Sequence, residues 1–289
     1  MAYSRRRYVR RSTRSRARPK RRISRRSTRS FASRRTRRPM SRRRILNISS
    51  KKKSDTMLSY FQPQTGNPTI GAGVNLSGDK TFYGVWCATA RDLTSGSNLP
   101  GNTSLRTSDV CYMRGLKERI NFSTDTGASW RWRRICLTRK GAWVGSNTEL
   151  EVSPQGWTRY IYDQTNLPGQ LSVITTDLFK GFQGRDWSDP FTAALDTDRQ
   201  TIMYDRVSTM SSGNSAGKYF QKKLWHPMNK NLVYSNDEEG DSMSPDIRST
   251  TGRAGMGDYY VVDIIQCVTG AAADHMTFNP EATLYWHEK

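Results

Sequence analysis

Beyond residue 54 the chain is written in short apolar runs broken by turn residues. Runs that alternate apolar and polar positions, or stay apolar for five to ten residues, predict strands over 57–62, 80–89, 115–123, 129–138, 157–162, 200–210, part of 218–234, 259–268 and 282–287. Gly, Pro, Asn and Ser cluster between them, as at 62–73, 95–102 and 211–217. No stretch predicts an amphipathic helix longer than three turns. Residues 189–195 suit a short one, with Asp189 as N-cap and Pro190 at the first helical position. Many short strands with turn signals predict an all-β sandwich or barrel.

Two of these strands say more. In Trp130-Arg131-Trp132-Arg133 successive side chains take opposite faces. Trp130 and Trp132 are expected in a core. Arg131 and Arg133 are expected on the other face as a basic patch, joined by Lys117 and Arg119 of a neighbouring strand; a solvated face with ordinary ion pairs fits the same pattern. The run from Tyr259 to Ile265 is apolar on both faces except at Asp263. Such a strand belongs in a sandwich centre or under a partner subunit. Asp263 reads as a hydrogen-bonded structural carboxylate or an interface residue rather than a catalytic one.

Charge divides the chain. Residues 1–53 hold 24 Lys and Arg and no Asp or Glu, while the remaining residues hold 23 bases against all 25 acids. The net +22 is thus an arm of +24 on a nearly neutral body, and the expected division is an arm at 1–53 and a body at 54–289. Residues 1–44 are low-complexity Arg, Ser and Thr, expected to be disordered when free, because like charges repel and little apolar surface offsets the entropy of ordering. Residues 45–53 read as a hinge, with Ile45, Leu46 and Ile48 before three lysines. The expected partner is a polyanion, with phosphates favoured over a few carboxylates. The arm residues expected to bind nucleic acid are Arg5, Arg6, Arg7, Arg10, Arg11, Arg21, Arg22, Arg25, Arg26, Arg34, Arg35, Arg37, Arg38, Arg42, Arg43, Arg44, Lys51, Lys52 and Lys53. Lys117, Arg119, Arg131 and Arg133 are expected to add to them from the body. Tyr3, Tyr8 and Phe31 suit stacking on exposed bases. A purely solubilising or import tail is the plainer alternative. The basic runs at 34–38 and 42–44 resemble nuclear-import signals. No apolar segment follows the basic start, which does not read as a secretory signal. No apolar run approaches the ~18 residues that span a bilayer, so no membrane partner is expected.

The search for catalytic chemistry comes back empty. Cys87, Cys111, Cys136 and Cys267 show no CxxC pair and read as reduced core thiols. The three histidines, His226, His275 and His287, form no metal-site or deaminase signature, and there is no Walker A loop. The glycines at 252–257 precede a strand instead of following one, unlike a dinucleotide loop. The acidic run at 237–241 suits a solvated loop, a cation site or a contact between subunits. Asn-x-Ser sequons at Asn47, Asn75, Asn102 and Asn121 carry little weight without a secretory signal. No enzyme, cofactor or bound metal is expected.

Four stretches of the body are similar to one family. They are Tyr-Met-Arg-Gly-Leu-Lys-Glu at 112–118, Trp-Arg-Trp-Arg-Arg-Ile-Cys at 130–136, Trp-His-Pro-Met-Asn-Lys-Asn-Leu-Val-Tyr at 225–234, and Gly-Met-Gly-Asp-Tyr-Tyr-Val-Val-Asp at 255–263. With the Arg-rich start, they resemble the capsid protein of genomoviruses, small circular single-stranded DNA viruses that include the gemycircularviruses. The resemblance implies a single jelly roll of eight strands in two antiparallel sheets. It also implies a small icosahedral (T=1) shell of about 60 copies, an inward arm on a single-stranded DNA genome, and a host nuclear import receptor, with the protein in the virion and, during assembly, the host nucleus. About 60 such arms carry roughly 1,400 charges, enough to neutralise most of a genome on the order of 1–3 kilobases. Tyr, Trp and Met suit subunit contacts, which makes Trp225, His226, Met228, Tyr234, Tyr259 and Tyr260 the interface candidates. A cellular nucleic-acid-binding protein with an Arg/Ser tail is the runner-up; it predicts a discrete base-reading surface such as the aromatic RNP pattern, and none is found.

Overall fold

The computed structural model describes residues 40–62, 67–93, 103–143, 150–152, 155–165 and 168–289. Eight strands make the frame: β1 (Lys51–Met57), β2 (Phe82–Cys87), β3 (Val110–Thr124), β4 (Trp130–Arg139), β5 (Thr201–Met210), β6 (Lys218–Val233), β7 (Asp258–Cys267) and β8 (His275–Glu288). They pair in the orders β1-β8-β3-β6 and β2-β7-β4-β5. Every connection crosses from one sheet to the other except β4 to β5, and that strand order is the jelly roll. The first sheet adds Val74–Ser77 beside β8, and the second extends beyond β2 through Gly156–Asp163, Ser59–Gln62 and Thr69–Ile70. All pairs of the frame are antiparallel, but Ser59–Gln62 runs parallel to Gly156–Asp163.

The predicted strands are all present, several of them longer than expected. β3 begins five residues early because a bulge hides its alternation. Below Gly115 the even positions face outward; above it the odd ones do, with Met113, Leu116 and Glu118 all turned inward. β8 begins seven residues early, across Asn279 and Pro280. Pro280 is tolerated because β8 has no second neighbour there: Val74–Ser77 pairs with 275–278 and β1 with 282–288. The helix α2 (Pro168–Leu178) opens on a proline but is rich in β-branched residues, which are poor helix formers. It holds because Ile174 and Leu178 are buried beneath it. Residues 189–195 form one unextended turn, with the Asp189 carboxylate accepting from the Phe191 amide at 3.0 Å.

The second sheet is covered on both sides. The long β4–β5 connection, including α2, folds back over its outer face and buries Val85, Leu137, Tyr260, Val262 and Ile264 against Trp143, Ile174, Phe179 and Phe191. The chain itself therefore covers the two-sided apolar strand β7, where a partner subunit had been one expectation.

Between the sheets the core has three layers. One apolar end holds Met113, Cys136, Met228, Tyr259 and Trp286. The other holds Phe122, Trp130, Trp132, Ile265 and Phe278. Between them, at the middle of β3, β4 and β7, stand Glu118, Arg134 and Asp263, with Arg159. Glu118 accepts from Arg134, from Arg159 and, at 2.8 Å, pairs with His226 Nε2. Asp263 accepts from Trp132 Nε1 at 2.9 Å, Arg134 Nε at 2.6 Å and Arg159 Nη2 at 3.3 Å. Burial pushes the Glu118 carboxyl up, but Arg134, Arg159 and His226 more than reverse this and hold it well below the usual carboxylate range. Asp263 is thus the structural carboxylate expected of it. The four cysteines are buried thiols that form no disulfide.

Candidate nucleic-acid interface

The outer face of the first sheet is open, basic and aromatic. β3 presents Tyr112, Arg114, Lys117 and Arg119; β6 presents Tyr219, Lys223, Trp225 and Lys230; β8 presents Tyr285 and His287; β1 presents Lys52. Strand register sets their spacing: Trp225 stands opposite Lys117, and Lys223 opposite Arg119. Such cross-strand partners sit about 5 Å apart at Cβ. Glu281, opposite Arg119 on β8, is the carboxylate that faces outward among them. No ion pair holds Lys117, Arg119 or Lys223 among the described residues. The positive field reaches the neighbouring histidine: burial, then Lys52 and Arg114, lower the pKa of His287.

One glycine shapes this face. Gly115 has a φ of 156°, and a Cβ there would fall 2.5 Å from the His226 carbonyl oxygen and 2.7 Å from the Trp225 ring. Its missing side chain lets the indole lie down across β3 beside Tyr285, with ring centroids 5.8 Å apart. The facing bulge on β6 is clasped by Arg114 Nη1 donating to Asn229 Oδ1 at 2.5 Å; Asn229 has a φ of 50°. Lys117, Glu118, Arg119, Lys223, Leu224 and Trp225 then line a cleft of about 430 Å³. The Glu118 carboxylate lies on the other side of the strand, in the ionic layer.

Several candidates prove to have structural roles. Arg131 and Arg133 do not share a patch with Lys117 and Arg119, because the two pairs lie on different sheets. Arg133 is only 4% exposed: it pairs with Asp205 at 2.7 Å and donates to the carbonyls of Pro190 and Ala193 at 2.6 and 2.9 Å. Arg131 pairs with Asp189 at 2.7 Å and packs over the Phe191 ring. Arg139 pairs with Asp177 of α2 at 2.6 Å. These outward arginines of β4 fasten the β4–β5 connection. Lys51, Lys52 and Lys53, counted with the arm, are the first residues of β1; Lys53 is 7% exposed, pairs with Glu288 at 2.9 Å and faces the body's interior. Arg42, Arg43 and Arg44 open the helix α1 (Arg42–Ser49), and Arg5 through Arg38, with Tyr3, Tyr8 and Phe31, lie outside the described residues.

The interface candidates divide as well. His226, Met228, Tyr234, Tyr259 and Tyr260 are buried within the chain itself, so they cannot touch a second copy without unfolding. Tyr234 donates its hydroxyl to the Thr89 carbonyl at 2.7 Å and lies under Arg106. Trp225 is 49% exposed. Lys223 and Tyr285 were not among the sequence candidates, although the alternation Tyr219, Gln221, Lys223, Trp225 on one face of β6 was there to be read. The acidic run forms an exposed hairpin, Asp237–Glu239 with Ser242–Ser244, and Gly255 and Gly257 serve chain packing, since a Cβ on them would fall 2.9 Å from the Val233 nitrogen and 2.5 Å from the Arg139 carbonyl. No cluster of metal-ligating side chains occurs among the described residues, and no helix among them is long and apolar enough to cross a membrane.

No protein-family model matches this chain, and no curated protein matches it. Among solved structures, the unassembled KI polyomavirus VP1 pentamer aligns over 87% of this chain and 97% of its own, at 9% identity and a TM-score of 0.13. A score that low carries no argument, and the jelly roll rests on the strand order.

Proposed function

We propose that this protein is a viral coat protein that assembles into a small closed shell and packages single-stranded DNA through its basic N-terminal arm. A jelly roll hosts coats, lectins and cupins alike, so the fold does not select among them. The observation that carries the reading is the division of charge, an arm of +24 joined to a jelly-roll body of about −2. A polycation binds phosphates without reading sequence, which suits condensing a whole genome. The body supplies a rigid tile, and many modest contacts in a closed shell hold together because they must break together. The four stretches similar to genomovirus capsid proteins support the finer version: about 60 copies in a T=1 shell, a circular genome, import to the host nucleus by the arm's basic runs, and residence in the virion.

The test is expression of the full chain and of a chain lacking residues 1–44, followed by electron microscopy and nuclease protection. Uniform particles holding protected DNA, with DNA lost and the body still folded on truncation, are the expected result. A full-length chain that stays monomeric and binds one defined RNA would overturn the reading in favour of the cellular binding protein. A truncated chain that still retains a genome equivalent would remove the arm from the packaging role.

A further inference from the structure

We infer that Trp225 is a stacking residue for unpaired bases of the packaged strand, with Lys117, Arg119 and Lys223 taking the adjoining phosphates. This rests on the coat reading above and assigns a second contact beyond the arm. Of the chain's eight tryptophans, Trp86, Trp130, Trp132, Trp143, Trp157 and Trp286 are buried, and Trp187 is half-buried. Trp225 stands apart at 49% exposed. Its exposure is built rather than accidental: the bulge at Gly115 seats the ring and Tyr285 supports its flank. Aromatic platforms beside cations that track a backbone are how proteins hold single strands without sequence preference. A duplex offers no free base face to such a ring. The cleft of about 430 Å³ falls within the range of small-ligand sites and suits a nucleotide unit.

The competing occupant is a second copy of the body. Interface cores are depleted in Lys, and three cations ring this indole. Two copies meeting face to face here would oppose like charges. The exposed acidic hairpin at 237–244 is a surface of complementary charge that a second copy would bring.

The two occupants separate by experiment. Full-length, unassembled subunits are titrated with a fluorescent oligo(dT) and with an abasic oligonucleotide of the same length and charge. The arm meets the same phosphates in both, so the affinity ratio reports base stacking, and because Tyr3, Tyr8 and Phe31 of the arm are the same in every variant, the fall in that ratio on changing Trp225 isolates the share of the body. The wild type should prefer oligo(dT) by about tenfold, the range of one stacked base. Trp225→Ala should lower that ratio by about fivefold, and Trp225→Phe should restore most of it. Lys117→Ala with Lys223→Ala should weaken both oligonucleotides and leave the ratio standing. A Trp225→Ala protein that keeps the ratio overturns the proposal. If the same variant also fails to form particles, and neutralising Asp237, Glu238 and Glu239 fails likewise, the indole sits at a subunit contact. Either failure leaves the coat reading standing, because that reading is tested by nuclease protection on the wild-type and arm-truncated chains, both of which keep Trp225.

Discussion

The outer faces of the two sheets began as one expectation and ended as opposites. Lys117 and Arg119 on β3, and Arg131 and Arg133 on β4, each follow the same rule of alternate basic residues with a buried residue between them, Glu118 in one case and Trp132 in the other. One pair lies open beside Trp225. The other lies under the β4–β5 connection, each arginine holding a carboxylate of the connection or of β5. Alternation tells which way a side chain points. It does not tell whether solvent or another segment lies in that direction. Under the covering segment arginine's fixed fork satisfies carbonyls and a carboxylate at once, while the open face carries lysine and arginine alike, with no ion pair on Lys117, Arg119 or Lys223 among the described residues.

The interior layer gives the extreme of the same contrast. Glu118 is on the strand that carries Lys117 and Arg119, one position from each, yet its carboxylate is fully buried between two guanidinium groups. Glu118→Gln removes one charge from a set of two arginines and two carboxylates and leaves a buried cation uncompensated. The expected loss is about 3–5 kcal/mol of unfolding free energy, measured by urea denaturation. An unchanged midpoint would mean the layer is not held by charge.

The pH dependence follows from the same residue. In the folded state the Glu118 carboxyl titrates below its ordinary value of 4.5. The unfolded chain therefore takes up this proton first as pH falls. The stability from Glu118 is complete above about pH 4.5 and drains away below it, toward the folded pKa. Thermal melts of the wild type should fall steadily through that acid range, while Glu118→Gln, already lower, should show a shallower slope there. Parallel slopes would assign the acid loss to other carboxylates.

Next in size comes the covered face. Arg133→Ala leaves two carbonyls and Asp205 without their donor at a site that admits little water. It should cost about 2–3 kcal/mol. Hydrogen exchange should show the loss concentrated in 177–196, where the connection is fastened. A uniform loss across both sheets would place Arg133 in the frame and not in the fastening.

How much of this was legible follows from what each feature depends on. The strands were read from period-two patterns, and the structural role of Asp263 from a lone acid in an apolar run. The full extent of β3 was hidden because the Gly115 bulge inverts the pattern partway along. α2 was hidden because burial of Ile174 and Leu178, not local propensity, makes it helical. The burial of Tyr234, Tyr259 and Tyr260 was hidden because an interface and a core ask for the same aromatic residues. What buries Tyr260 is the course of the chain over the second sheet, and what buries Tyr234 and Tyr259 is the packing of one sheet on the other; no local window records either.

The smallest effect on stability should come from the open face, and it completes the contrast. Lys117→Ala and Arg119→Ala remove side chains that solvent already surrounds, so each should shift the unfolding free energy by no more than about 0.5 kcal/mol. Their effect belongs in binding instead. If each cation meets one phosphate, the slope of log K against log salt should shrink by about one for each residue removed. The identical substitution at Arg133 should leave that slope alone while destabilising the fold. A salt slope that answers to Arg133 and ignores Lys117 would reverse the assignment of the two faces, since a buried guanidinium with four of its five donors committed to two carbonyls and a carboxylate is out of reach of a phosphate.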